Sequence, residues 1–193
     1  MAFVLLFALV LGPVLPGADP GDPAPAVNWA LGAPARQSST RSGCEAARAV
    51  DGEREGERAA RSVALTKSEP DSFWEVDLGA VREVEEIRVF LCREGCGARL
   101  RDLAVFVSEE PFRHAAARET MLQLGVSFAL VWGPLGDPAD GRERAERQTI
   151  PIRARGRWVR LQPVEGGSLA LAEVEVLGPA SPPLPTAAPR SGR

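Results

Sequence analysis

Residues that could carry out catalysis are few in this sequence, and their spacing is unfavourable. The chain of 193 residues has one histidine, His114, with neither a Gly-x-Ser-x-Gly nucleophile elbow nor an obvious orienting aspartate, which argues against a nucleophilic triad. The carboxylate pairs Glu85-Glu86 and Glu109-Glu110 are adjacent, so in a strand their members point to opposite faces and cannot flank one substrate. Gly95-Cys96-Gly97 lacks the helix and the Lys-Ser/Thr of a phosphate-binding loop. We therefore expect a binding protein, not an enzyme.

Three cysteines are the other reactive side chains. Cys92 and Cys96 stand four positions apart and could close a small disulfide loop, in which case Cys44 would remain a free thiol. The sequence alone leaves the pairing open. Zinc is not favoured, because it takes several Cys or His ligands and His114 has no second such ligand nearby.

Short strands punctuated by glycine and proline are expected to position these side chains. Residues 74–78 and 172–176 alternate apolar with acidic side chains, and residues 157–161 alternate apolar side chains with arginines. This period of two predicts strands that each bury one face. Residues 103–107 and 128–132 are apolar on both faces, which predicts strands central to a core.

Irregular segments fit the same all-β interpretation. Glu85-Glu86 interrupts an apolar alternation that resumes at Val89, which predicts a β-bulge in the strand leading to Cys92. Residues 45–50 are too short for more than a helical turn or two, and residues 112–124 lack a clean apolar stripe, so both are assigned to loops. Without an alternating βαβ pattern, the expected fold class is an all-β antiparallel jelly-roll sandwich or barrel.

The N-terminal residues have the layout of a secretory signal peptide. Residues 3–11 are all apolar, two prolines then interrupt the run, and the small residues Gly17 and Ala18 follow. A membrane-spanning helix needs about 20 apolar residues, and this run ends well before that length. We expect residues 1–18 to be removed as a signal peptide and the mature protein to be secreted and extracellular.

The remaining chain divides into a leader, one domain and a tail. Residues 19–26 are rich in proline and glycine, and residues 178–193 contain too much proline to form a packed element. Residues 27–177 then form one domain of ordinary size. No second apolar stretch approaches membrane-spanning length. The net charge of −3, with arginines interspersed among acidic residues, gives no indication of a nucleic-acid partner.

Five segments stand out by their order and spacing. They are NWALGAPARQSST at 28–40, AVDG at 49–52, SEPDSFWEVDLG at 68–79, CREGCGAR at 92–99 and SLALAEVEV at 168–176. Together they resemble the F-type lectin (fucolectin, or eel-agglutinin-like) family of the discoidin-like (F5/8 type C) superfamily. The resemblance covers residues 27–177, and it implies a jelly-roll module that binds carbohydrate, with glycans or glycoproteins as partners.

The resemblance also implies a structural calcium ion. Its ligands would be the main-chain carbonyls of Arg48 and Glu53 and the side chains of Asp51, Ser62 and Glu173. Hard oxygen ligands of this kind are those that Ca²⁺ takes. The alternative is that the aspartate before Gly only caps a turn through its side chain.

The fucose site implied by the resemblance is only partly retained. The family's second sugar-binding stretch falls on the loop from Cys92 to Cys96 and beyond, where Arg93 and Arg99 would donate hydrogen bonds and Glu94 replaces an aspartate. Arg93 stands one place late, and the family's adjacent cysteines have become a pair four positions apart. Without a sugar, these charged residues would form a surface ion pair of little energetic value.

The family's sugar-binding histidine falls at or beside Leu65, which can donate no hydrogen bond. Loss of one charged donor to a buried hydroxyl costs about 1.5–3 kcal/mol, whereas a monosaccharide bound at millimolar affinity has only about 4 kcal/mol in total. Two such losses would abolish measurable fucose binding. A strand that slips by one residue could bring Arg93 back toward the site.

Two rival functions keep the same fold without the sugar site. One is a protein- or membrane-adhesion module, for which Leu65, Phe90 and Leu91 would form an apolar contact surface if they cluster. The other is a regulatory or matrix fragment that uses the proline-rich tail as a spacer. A homo-oligomer is compatible with the sequence in each case.

Overall fold

The fold is built from strands separated by tight turns. The computed structural model describes residues 26–41, 43–54, 56, 62–92, 102–112, 127–131 and 147–180. The expected all-β class is confirmed. Residues 46–49 form a single 3-10 turn, in the loop where at most a helical turn or two was predicted. The strands are β1 (Ala26–Asn28), β2 (Ala35–Gln37), β3 (Ala64–Leu65), β4 (Trp74–Leu91), β5 (Leu103–Ser108), β6 (Ser127–Val131), β7 (Arg147–Pro163) and β8 (Ala170–Pro179).

Two long strands, β4 and β7, take part in both layers of the fold. The strand order is β1-β8-β4-β7-β5-β6, with β2 added to β4 and β3 to β8, and the pairs are antiparallel. Residues 74–77 of β4 pair with the C-terminal part of β7, whereas residues 86–91 pair with β8. Side chains of both halves of β4 share one core, so the halves face each other across a sandwich. They are Trp74, Val76, Val84, Ile87 and Val89.

The change of layer in β4 occurs at Gly79. Its φ of +77° lies in the left-handed region, which costs glycine little because it has no Cβ. Asp77 Oδ1 accepts a hydrogen bond of 2.9 Å from the Gly79 N–H, and the β4–β7 register shifts between Asp77 and Arg82. A second register shift between Val84 and Glu86 confirms the predicted bulge.

One end of the sandwich, here called the loop end, carries the described connections 38–41, 43–45, 66–73 and 164–169 together with Cys92. Main-chain hydrogen bonds join them, including Thr66 N–H to Leu169 O at 3.0 Å.

β1 pairs with the far end of β8, where Ala26 lies opposite Pro179. β1 begins one residue before the predicted start of the domain at residue 27, and β8 ends two residues after its predicted end at residue 177. The predicted signal peptide lies outside the described residues, as do residues 19–25 of the leader and 181–193 of the tail.

The described residues include no helix with the length and apolar character needed to cross a membrane.

The prediction that the alternating strands bury only one face is wrong at four charged positions. Glu75, Arg160, Glu173 and Glu175 are all buried, at 0%, 1%, 1% and 4% exposure. The prediction for residues 128–132 is also wrong in part. In the described sheet β6 is the terminal strand, and its residues 127, 129 and 130 are exposed or half-buried.

A second apolar cluster explains why charges of the β2-β4-β7 layer are buried. Ala104, Phe106 and Phe112 pack with the half-buried Leu130 and Trp158, in a cluster separate from the main core. The Arg160 guanidinium carbon lies 4.1 Å from the centroid of the Phe73 ring and 4.8 Å from that of Phe112. Aromatic side chains therefore cover the face on which the sequence predicted solvent.

Candidate functional site

The loop end rests on a small apolar cluster that contains Leu65. This side chain is fully buried, with Cys44, Phe90 and Cys92 among its cluster neighbours. The position expected to face a sugar is therefore part of the floor beneath the loops, where it cannot contact a ligand directly. Cys44 and Leu65 also share a main-chain hydrogen bond, in which the Leu65 N–H donates to Cys44 O at 3.1 Å.

Most of the predicted sugar-binding stretch falls outside the described residues. Cys92 directly follows β4 and is disulfide-bonded; its N–H donates to Ala170 O at 3.4 Å. Arg93, Glu94, Cys96 and Arg99 lie outside the described part of the chain. Their roles, and the pairing of Cys92 with Cys96, stay predictions.

The apolar contact surface proposed for an adhesion module does not form from the expected residues. Leu65, Phe90 and Leu91 are 0%, 9% and 7% exposed, so they belong to the interior. The exposed large apolar side chain among the described residues is Leu31, at 58%. A single exposed leucine is ordinary for a soluble surface and does not make an adhesive patch.

The structure brings together two of the predicted calcium ligands, Asp51 and Glu173. The Glu173 carboxyl is buried; Oε1 accepts a hydrogen bond of 3.3 Å from the Gly52 N–H, while Oε2 is buried without a hydrogen-bond partner. Asp51 is exposed at the same turn, and its Oδ1 accepts a hydrogen bond of 3.0 Å from the Glu53 N–H. This last bond is the turn-capping role expected of an aspartate before glycine.

The electrostatics of this turn are unfavourable for the lone carboxylate. Burial, and after it the negative charge of Asp51, raise the pKa of Glu173 to about 8, although the hydrogen bond from the Gly52 N–H opposes the shift. Glu175, two residues along the same face of β8, also raises the pKa of Glu173. A cation bound between Asp51 and Glu173 would reverse this effect.

The two carboxyls of β8 differ in their partners. Glu175 is held by two arginines: Arg54 Nε donates to its Oε1 at 2.9 Å, and Arg88 Nη1 lies 3.5 Å from its Oε2. The Arg54 guanidinium also lies 5.0 Å from the centroid of the Phe90 ring. Glu173 has only a main-chain donor on one oxygen, so it is the carboxyl with capacity for a cation.

The predicted calcium site combines main-chain and side-chain oxygens. No group of three or more His, Cys, Asp or Glu side chains converges among the described residues. The predicted set has only two carboxylates, with the rest of its oxygens from the Arg48 and Glu53 carbonyls and from Ser62. A turn that offers carbonyls beside a buried carboxylate suits Ca²⁺, which takes six to eight oxygen ligands.

Another feature of the loop end was not found from the sequence. A groove of about 370 Å³ lies between β2 and the connection that precedes β4. Its lining includes Arg36 of β2 and Glu69, Pro70, Asp71 and Phe73 of that connection. The only available sequence signal was the presence of opposite charges in two segments whose proximity the sequence does not reveal.

No curated protein sequence matches this chain. The family profile described as the NedA-like, galactose-binding domain of the F5/F8 type C group matches residues 48–161, more than half of the chain. The chain belongs to this family.

The F5/F8 type C domain is also similar to solved structures of sugar-binding modules. A fucose binding module of Streptococcus pneumoniae, SpX-3, is 25% identical with a TM-score of 0.60, covering 78% of this chain and 96% of that chain. The lectin domain of lectinolysin, in complex with Lewis B antigen, is 26% identical with a TM-score of 0.61, covering 80% of this chain and 98% of that chain. These matches confirm the resemblance to F-type lectins.

A third solved structure supports the fold alone. A fucolectin from the serum of Morone saxatilis (striped bass) is 24% identical, with a TM-score of 0.65. The match covers 80% of this chain and 49% of that chain, so the F5/F8 type C domain spans about half of the fucolectin's length. The expected discoidin-like β-sandwich is therefore confirmed.

Proposed function

We propose that the F5/F8 type C domain is a carbohydrate-binding module that recognises glycans of the fucosylated class, rather than an enzyme. The observation that carries this proposal is its match, at 25–26% identity, to nearly the full length of two modules named for fucose or shown with Lewis B antigen. The rival adhesion function has less support, because its three expected contact residues are buried.

The ligand of the proposed function binds at the loop end. Arg93 and Arg99 would donate hydrogen bonds to sugar oxygens, Glu94 would accept one, and the loop closed by Cys92 and Cys96 would provide an apolar platform. The buried cluster that contains Leu65 also contacts Cys92, from which this loop starts, and Leu65 is too deeply buried to contact a sugar directly. Any hydrogen bond that the lectin family makes through a histidine is lost here.

Calcium stabilisation is part of the same proposal. The buried, unpaired Oε2 of Glu173 is the supporting observation, since a buried carboxylate oxygen without a donor costs about 1–3 kcal/mol or more. Asp51, Glu173, Ser62 and the main-chain carbonyls of the same turn would hold the ion. When bound, the ion supplies positive charge and fixes the turn against β8.

Secretion would suit these requirements. An oxidising compartment permits the disulfide of Cys92, for which Cys96 is the proposed partner, and extracellular calcium would fill a site of modest affinity. Mapping of disulfide-linked peptides in protein from culture medium tests both points. Recovery of an intact N-terminus from inside the cell, with Cys92 linked elsewhere, would contradict them.

A glycan array probed with the full chain, with calcium and with a chelator, tests the proposed function. We expect binding to fucosylated glycans that weakens at least tenfold when calcium is removed. Arg99→Ala should reduce binding to the same glycans, whereas Arg153→Ala, on the strand region away from the loop end, should not. Absence of binding to every glycan would overturn the proposal.

A further inference from the structure

We propose that the groove between Arg36 and Asp71 is a second saccharide-binding site, which takes a neutral pyranose through its vicinal hydroxyls. This inference rests on the proposed carbohydrate-binding function but uses residues other than those of the predicted sugar loop. The groove volume of about 370 Å³ falls within the range of about 300–1,000 Å³ common for small-molecule sites.

Arg36 is fixed before any ligand binds. Its Nε donates to Glu75 Oε1 at 2.7 Å, and its Nη2 donates to the main-chain oxygen of Phe112 at 3.2 Å. Glu75 is itself fully buried and paired to Arg160 on its other oxygen. A guanidinium held in this way loses little rotamer freedom when it binds a ligand.

The same arginine keeps donors for a ligand. A guanidinium has five N–H groups, and those of Nη1 take no part in the bonds to Glu75 and Phe112. The Arg36 side chain is 40% exposed and lines the groove. The two N–H groups of Nη1 can each donate a hydrogen bond to a hydroxyl oxygen of a sugar ring.

The opposite lip of the groove is also fixed. Glu69 and Gly167 pair through main-chain hydrogen bonds of 2.9 and 3.3 Å, and Ser72 Oγ donates to Gly167 O at 2.5 Å. At Gly166 a Cβ would lie 2.8 Å from Pro70 O, so only glycine permits this close approach. The lip therefore presents the carboxylates of Glu69 and Asp71 from a tightly packed turn.

The charges of the groove select the ligand class. Among its lining residues, Arg36 carries one positive charge and Glu69 and Asp71 carry two negative charges, for a sum of −1. A phosphate or sulfate would be repelled by the carboxylates of the lip. A neutral sugar can donate its hydroxyls to the carboxylates and accept from Arg36, while the Phe73 ring lies beneath.

Chemical-shift mapping of the full chain tests the site. The ¹⁵N-labelled protein is titrated with L-fucose, D-galactose, D-mannose, D-glucose and inorganic phosphate. We expect at least one sugar, and not phosphate, to shift the Arg36 Nε–H and the amides of Asp71 and Phe73. Asp71→Asn and Arg36→Gln should weaken that effect at least tenfold, while the matched control Glu85→Gln, on an exposed position elsewhere, should leave it unchanged.

The variants keep the test decisive even if Arg36→Gln perturbs folding, because Asp71 is exposed and its amide variant preserves the shape of the lip. Shifts confined to residues 92–99 would overturn the second site and leave the proposed function standing. Shifts at the groove that survive Asp71→Asn, or a phosphate response there, would overturn the neutral-sugar assignment. Absence of shifts with every sugar would overturn both proposals.

Discussion

Arg160 and Glu75 form an ion pair in which neither side chain is more than 1% exposed, with Arg160 Nη2 2.7 Å from Glu75 Oε2. They are direct cross-strand partners on β7 and β4, and Arg36 stands opposite Glu75 on β2. Glu75 Oε1 thus accepts a hydrogen bond from Arg36, and Oε2 accepts one from Arg160. Burial lowers the pKa of Arg160, and the hydrogen bond to Glu75 opposes that shift.

Among Arg36, Glu75 and Arg160, which lie side by side on β2, β4 and β7, loss of the Glu75 carboxylate should reduce stability most. Glu75→Gln leaves the Arg160 guanidinium buried without a counter-charge, which we expect to cost about 3–5 kcal/mol of unfolding free energy. Arg160→Met should cost less, because Glu75 keeps Arg36. Urea unfolding of both variants and of the double variant checks the order, and equal losses would contradict the role given to Arg36.

Calcium and protonation should stabilise the turn at Glu173 in opposite pH ranges. The pKa of Glu173 is raised to about 8 in the fold from an ordinary value of 4.5. Without calcium, the folded state holds the proton more tightly, so stability should fall by on the order of 2–4 kcal/mol between about pH 5 and pH 8. Added calcium should restore stability at pH 8.

Thermal unfolding of wild type and Glu173→Gln, each with calcium and with a chelator, checks that prediction. The variant should lose both the pH dependence and the response to calcium, and it should be the more stable protein in chelator at pH 8. Glu53→Gln serves as the control because it keeps the main-chain carbonyl. A calcium response retained by Glu173→Gln would exclude the proposed site.

Asp77 should contribute to stability in the acid range. The hydrogen bond from Arg157, whose Nε and Nη2 lie 2.6 and 2.7 Å from the two oxygens, lowers the pKa of Asp77 below 3.8. Asp77→Asn should cost about 1 kcal/mol near neutral pH, since Arg157 is partly exposed. That difference should shrink as the pH falls through the lowered pKa of Asp77. Urea unfolding between pH 3 and 7 checks it, and a difference independent of pH would contradict the assignment.

The lip of the Arg36 groove should depend on Gly166. Its φ of +76° and the approach of Pro70 make Gly166→Ala strained and sterically hindered, at a cost of about 1–3 kcal/mol. Gly167→Ala is a matched control, because its φ is also positive but no atom lies within 4 Å of the added Cβ. Comparable stability of the two variants would show that the contact with Pro70 is unimportant.

Period-two alternation predicted the strands and the fold class well, but not which charged side chains are exposed. Alternation specifies which residues share a face; it does not specify what covers that face. Glu75 is buried because Phe73 and Phe112 lie over its neighbour Arg160, and these rings come from connections between strands. Such coverage depends on tertiary contacts that no local pattern encodes.

The candidate sites show the same division. Asp51 and Glu173 were predicted as calcium ligands from the family resemblance. The structure brings the turn that holds Asp51 against Glu173 of β8, although 122 positions separate the two residues. Leu65 was predicted to stand at the position of the family's sugar-binding histidine, and its burial, which depends on packing with Phe90 and Ala170, was not predicted. The groove at Arg36 could not be predicted, because it needs the register of β2 on β4 and the Gly166 turn together.

The pairing of Ala26 with Pro179 has a practical consequence for how the domain can be attached to something else. β8 runs for 10 residues from the loop end to this pair, which at about 3.3 Å per residue is roughly 30 Å. A linker, sensor surface or neighbouring module attached beside Ala26 or Pro179 would therefore stand a full strand length from the loop end.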